Sequence, residues 1–211
     1  MSWAEQARRA QDRYEGGAGR DLDQRQLTQL GNAAWAAGLC LLMDGRPDES
    51  RDWLRTAARR YRESWEAGAP ADAWGRPIAA IKSLLLAGDD ARDAAAWALE
   101  AGAREAESPI GRYAATLALL ALGEDVEARE VGSTLRADAP AFPEAVADAL
   151  VTLAAADRAG YLLAVEDVLE SFEQRSDFLE DVHVADTVLV LQRLAAARDC
   201  AVDLPASRLL P

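Results

Sequence analysis

Apolar positions recur along this chain three or four residues apart, and no stretch alternates long enough to predict a strand. Trp3, Ala7, Ala10 and Tyr14 share one face and predict a first helix over Ser2–Glu15. Leu22–Met43 reads as a long apolar helix. Over Asp48–Glu66 the residues Trp53, Leu54, Ala57, Ala58, Tyr61 and Trp65 form a stripe of period 3.6. The same spacing predicts helices over Trp74–Ala87, Ala91–Glu107, Pro143–Ala156, Tyr161–Gln174 and Val184–Arg198, the last reading as the most buried.

The clearest unit is Ser108–Pro140, a helix, a tight turn and a returning helix. Ser108 suits an N-cap, Pro109 the first helical position, and Gly123 a left-handed stop. Glu124 and Asp125 put negative charge at the next N-terminus, and Pro140 closes the unit. Elsewhere Gly16–Asp21, Asp44–Pro47, Gly68–Asp72, Gly88–Asp90 and Arg158–Gly160 interrupt the periodicity. The tail Cys200–Pro211 has two prolines and cannot continue a helix. The expectation is an all-α fold of about nine helices, stacked as antiparallel hairpins in one domain. Its parts are an N-terminal helix and glycine-rich linker (1–21), degenerate hairpin repeats (22–140), and C-terminal helices with a tail (141–211).

Three turns are self-similar: GRPDES from Gly45, GDDARDA from Gly88 and GEDVEA from Gly123, spaced 43 and then 35 residues apart. Ser50 and Ala128 place a small residue five after the glycine, Ala57 a later one, and Pro140 ends the unit. The pattern resembles tetratricopeptide repeats, whose period is about 34 residues. The second copy carries one extra residue before its alanine.

Charge changes the picture of the surface. The chain has 36 Asp and Glu against 23 Lys and Arg, a net of −13, and Lys82 is its one lysine. Such an acidic, lysine-poor surface is expected of a halophilic protein, because self-repulsion is screened to about 3 Å at 1 M salt. A GC-rich coding bias also exchanges Lys for Arg. The excess is uneven, with a net of +1 over residues 1–65 and −14 over 66–211. It speaks against nucleic-acid partners, which need a basic footprint. Cys40 and Cys200 read as reduced thiols of a cytoplasmic protein. The start of the chain has no signal-peptide pattern. The longest apolar run, Ala33–Met43, is half of what a membrane span needs, so no membrane partner is expected.

Candidate chemistry falls in two places. Arg51, Arg55, Arg59 and Arg62 line one side of the Asp48–Glu66 helix, with Trp53 and Trp65 beside them. This is either a docking strip for an acidic partner or a solvated face with local ion pairs. The only histidine, His183, lies among Asp177, Glu180, Asp181 and Asp186. Asp181, His183 and Asp186 are metal candidates with mixed oxygen and nitrogen donors; capping acids beside a packed histidine are the simpler reading. The sequence has no HExxH and no nucleophile elbow. Gly16–Asp21 follows a helix and lacks GK[ST], so it reads as a linker and not as a phosphate cradle.

The C-terminal stretch Asp186–Pro211 resembles the end of the bacterial immunity protein 49 family, all-helical proteins that neutralise toxins. An apolar helix (Leu189–Ala197), Arg198, a short extended piece (Ala201–Leu204), Ser207 and Leu210–Pro211 fill that family's slots. Asp199 stands where a glycine is usual and Leu209 where an aromatic is common. The resemblance implies a non-enzymatic protein whose partner is a toxin, and it carries over no binding residues. The expected function is therefore a protein-binding helical module, monomeric or homodimeric, without a cofactor. Its rivals are a metal-dependent enzyme around His183 and a structural or regulatory subunit.

Overall fold

The computed structural model describes residues 1–138 and 141–211, so Pro140 lies outside the described residues. Among those residues the fold is all-α, with ten α-helices, three short 3-10 turns and no strand. The helices are α1 (Trp3–Gly17), α2 (Gln24–Met43), α3 (Pro47–Glu66), α4 (Gly75–Ala87), α5 (Arg92–Glu100), α6 (Pro109–Leu122), α7 (Asp125–Leu135), α8 (Glu144–Ala154), α9 (Arg158–Glu173) and α10 (Asp186–Ala196). None of the described helices is long and apolar enough to cross a membrane. Two compact units emerge. Unit 1 is Met1–Asp89 with Arg175–Val184 and Ser207–Pro211; unit 2 is Asp90–Gln174 with Ala185–Ala206.

In unit 1 each helix packs on its neighbour in sequence: α1 on α2, α2 on α3, α3 on α4. Capping boxes start the first two. Ser2 and Glu5 exchange side-chain to backbone hydrogen bonds of 3.2 and 2.8 Å, and Asp23 and Gln26 do the same at 2.8 and 2.9 Å. The α2–α3 contact is close because α2 offers glycines there. A Cβ on Gly38 would lie 2.7 Å from Leu54 Cγ, and one on Gly31 2.8 Å from the Tyr61 ring. The buried Ser50 hydroxyl can then donate to the Gly38 carbonyl at 2.7 Å. Trp35, Leu41, Leu54 and Ile81 fill the core, each contributing about 1.5–3 kcal/mol. A polar knot ties three helices: buried Ser64 donates to the Gln24 carbonyl (2.6 Å) and accepts from Arg76 Nε (2.8 Å), while Arg76 also donates to the Gln24 side chain.

Unit 2 stacks α5 on α6, α6 on α7, α7 on α8 and α8 on α9, with α10 against α8 and α9. Ser108 caps α6 through Gly111 N at 3.2 Å, with Pro109 next to it. In unit 2 two helix boundaries and one burial ranking depart clearly from the sequence reading. The helix predicted over Ala91–Glu107 stops at Glu100, because Gly102 takes φ +94 and a 3-10 turn follows. The break predicted at Arg158–Gly160 comes earlier, since the Asp157 carboxylate accepts from Gly160 N (3.0 Å) and starts α9 at Arg158. The last helix is not the most buried. Five of the eleven α10 residues are buried, against nine of fourteen in α6, which is flanked by helices on two sides.

One device recurs through both units. The helices α2, α4, α6, α8 and α10 end in the same pair of backbone hydrogen bonds around a left-handed residue. After α6, Glu124 N donates to Leu119 O (2.9 Å) and Gly123 N to Leu120 O (3.2 Å). The left-handed residues are Gly45, Gly88, Gly123, Ala156 and Asp199. This is the Schellman closure, which glycine takes without steric cost and other L residues do not. The sequence shows the first three copies; the structure adds two, spaced 33 and 43 residues further on, with no glycine to mark them.

Candidate binding cleft in unit 1

The α1–α2 hairpin and the loop before Val184 enclose a cleft of about 550 Å³. Its first wall is the end of α1. Arg13, Gly16 and Gly17 lie three and four residues apart and so share a face. A Cβ on Gly17 would sit 3.0 Å from Leu30, so the glycine lets α1 settle against α2. The second wall is one face of α2, where Gln26, Gln29, Leu30 and Ala33 follow helical spacing. Leu30 and Ala33 are buried and form an apolar floor, while Gln26 and Gln29 are exposed at the rim. Gln26 is oriented by its capping bond to Asp23 N.

Glu180 completes the cleft, and Arg13 donates to its carboxylate at 2.9 Å. Arg13 is about half exposed and Glu180 a quarter. The loop that delivers Glu180 has two consecutive left-handed non-glycine residues, Glu180 and Asp181, both at φ +57. Each such residue costs about 1–2 kcal/mol. Buried Val182 and Val184 anchor the loop, and His183 stacks on Phe178 with ring centroids 4.5 Å apart.

The residues singled out in the sequence lie elsewhere. Every arginine of the α3 stripe has a carboxylate partner: Arg51 with Asp48 (2.9 Å), Arg55 with Asp89 (2.6 Å) and Asp52 (3.2 Å), Arg59 with Glu63 (3.8 Å), and Arg62 with Glu66 (2.6 Å). The Arg55 hydrogen bond holds Asp89 below the usual carboxylate range and raises Arg55. This is a charge-compensated, solvated face. Trp53 sits edge-on to Tyr14, centroids 5.2 Å apart, and Trp65 packs on Trp74 at 5.9 Å. Neither tryptophan nor any arginine of the stripe lines the cleft. Among the described residues no three His, Cys, Asp or Glu side chains gather as metal ligands, so Asp181, His183 and Asp186 do not form a ligand set. The exposed His183 ring is taken up by its stack on Phe178. Cys40 is fully buried, and burial pushes its thiol up to about 11.

No family model, no curated protein and no solved structure matches this chain. What the cleft takes must be read from its own chemistry. Arg13 and the two glutamine amides supply donors, Glu180 an acceptor, and Leu30 and Ala33 a dry floor. This set suits a segment with one polar end and one apolar body. No direct signal for it is present in the sequence, since Arg13 and Glu180 are 167 residues apart. The glycine pair closing an amphipathic helix was the one local hint.

A second, more open groove of about 470 Å³ lies in unit 2 along α9, lined by Arg158, Ala159, Leu162, Val202 and Asp203. Its arginine is committed to the Ala201 carbonyl through bonds of 3.3 and 3.2 Å.

Proposed function

We propose that this chain is a non-enzymatic protein-binding module of stacked, tetratricopeptide-like hairpins. It is of the immunity type, seating a segment of a partner toxin in the α1–α2 cleft. The observation that carries this reading is the cleft, an apolar floor under a polar rim, sized for one or two anchoring side chains. Two features support the kinship. The Schellman closures repeat at 33–43 residues, near the spacing of helical repeats. Asp199, where the immunity family carries a glycine, has the left-handed backbone that glycine takes freely. The acidic composition fits work in the cytoplasm of a salt-rich cell.

The test is titration calorimetry in concentrated KCl against any multidomain toxin encoded beside this gene. A one-to-one complex is expected. Gly16→Trp, at an exposed position with open space around it, weakens that complex about tenfold or more by filling the cleft. Arg59→Ala changes it less than about twofold. A complex indifferent to Gly16→Trp but lost with the α3 arginines moves the site to that stripe. Absence of any complex removes the immunity reading.

A further inference from the structure

The structure assigns the cleft a ligand chemistry: a carboxylate side chain, Asp or Glu, presented by the partner protein. We propose that Glu180 is its internal stand-in, released from Arg13 when the partner's carboxylate enters. The inference rests on the reading of the cleft as a binding seat and specifies what that seat recognises. Three observations carry it. Arg13 already holds a carboxylate inside the cleft, 2.9 Å away, so the geometry for one is built. The rim supplies further donors: the Gln26 oxygen is committed to Asp23 N, leaving its NH₂ end to donate, and Gln29 is exposed beside it. Glu180 is delivered by a left-handed pair that L residues disfavour, whereas the loop's anchors are Val182, Val184 and the Phe178–His183 stack. Letting Glu180 go relaxes the pair and leaves the anchors in place. Unit 1 has 15 basic and 16 acidic residues, so its net charge sets little repulsion against an acidic segment.

An internal competitor lowers apparent affinity by the fraction of time the site is free. This gives a test that needs no toxin. The probe is acetyl-(Glu)₃-amide, titrated into the full chain in the lowest KCl at which its circular dichroism is native. Amide shifts of Arg13, Gly16, Gly17, Gln26 and Gln29 are followed by NMR. The neutral acetyl-(Gln)₃-amide and inorganic phosphate serve as comparisons. We expect the Glu peptide to bind, Arg13→Gln to abolish binding, and Glu180→Gln to tighten it about fivefold, as for a site free about one fifth of the time. Asp181→Asn, which removes the same charge one residue away, changes the affinity less than about twofold. The inference is overturned if Glu180→Gln leaves the affinity unchanged or weaker, or if Asp181→Asn matches it. No Glu-peptide binding, equal binding of the Gln peptide, or tighter binding of phosphate overturns it too. A toxin titration that fails while Glu180→Gln tightens the peptide removes the immunity reading and leaves the carboxylate site standing.

Discussion

The two units are nearly equal in length and differ sharply in charge. Unit 1 carries 15 basic against 16 acidic residues, and unit 2 carries 8 against 20, a net of −12. Arginines pair with carboxylates in both. Arg46, Arg51, Arg55 and Arg62 do so in unit 1, and Arg104 with Glu127 (2.6 Å) and Arg136 with Asp148 (2.5 Å) do so in unit 2. The difference lies in the carboxylates left over. It separates two regions that the whole-chain charge blurs: unit 1 is electrostatically balanced around an open cleft, while unit 2 holds the acid excess.

The largest effect should come from Arg198, a deeply placed cation of unit 2. The Arg198 side chain is 9 % exposed and donates to Asp125 Oδ1 and to the carbonyls of Leu120 and Leu194. It ties the end of α10 to the α6–α7 turn. Arg198→Ala should destabilise unit 2 by about 2–3 kcal/mol in urea denaturation. Arg62→Ala on the solvated stripe should stay within about 0.5 kcal/mol. Similar losses for both would erase the distinction between structural and solvated arginines.

Salt comes next. Raising KCl from 0.1 to 2 M should stabilise unit 2 by about 1 kcal/mol, or roughly 4–8 °C in melting temperature for about 100 residues. Unit 1 should gain less. Native-state hydrogen exchange on amides of α6–α9 and of α2–α4 reads the two separately. Equal gains would assign the acidity to coding bias and not to a salt-adapted unit.

Backbone substitutions at the helix closures should act in opposite directions. Ala156→Gly should stabilise by about 0.5–1 kcal/mol, because Ala156 sits at φ +52, and Gly123→Ala at φ +84 should destabilise by about as much. Urea midpoints measure both. A stabilising Gly123→Ala would refute the shared closure.

The smallest effect concerns acid. Asp89 is depressed by the Arg55 hydrogen bond, so the pair's contribution is full above the unfolded carboxylate pKa of about 3.9 and fades as pH falls through the lower folded value. With solvent screening the loss should be a few tenths of a kcal/mol, absent in Asp89→Asn. Thermal melts between pH 5 and 2.5 would show it.

The sequence made much of this fold legible because its helices carry stripes and its first three closures carry glycine. The last two closures were hidden, since Ala156 and Asp199 are not residues whose identity announces a left-handed backbone. The early stop of α5 was signalled by Gly102 but masked by the alanine-rich run around it. The α3 stripe was readable as a face, and its carboxylate partners at i−3 and i+4, with Asp89 for Arg55, show why it is a quiet one. The cleft was not legible. It depends on Gly17 meeting Leu30 and on Glu180 arriving from far along the chain, and neither is a periodicity.

The most direct measurement is a hydrogen-exchange footprint of the full chain with its bound partner. We expect protection over Arg13–Gly17 and Gln26–Ala33, no added protection at Glu180–Asp181 where the internal carboxylate is released, and the acidic helices α7 and α9 unchanged. Protection centred on α7 and α9, with the cleft segments exchanging as in the free protein, would contradict the assignment and make the acidic unit the binding surface.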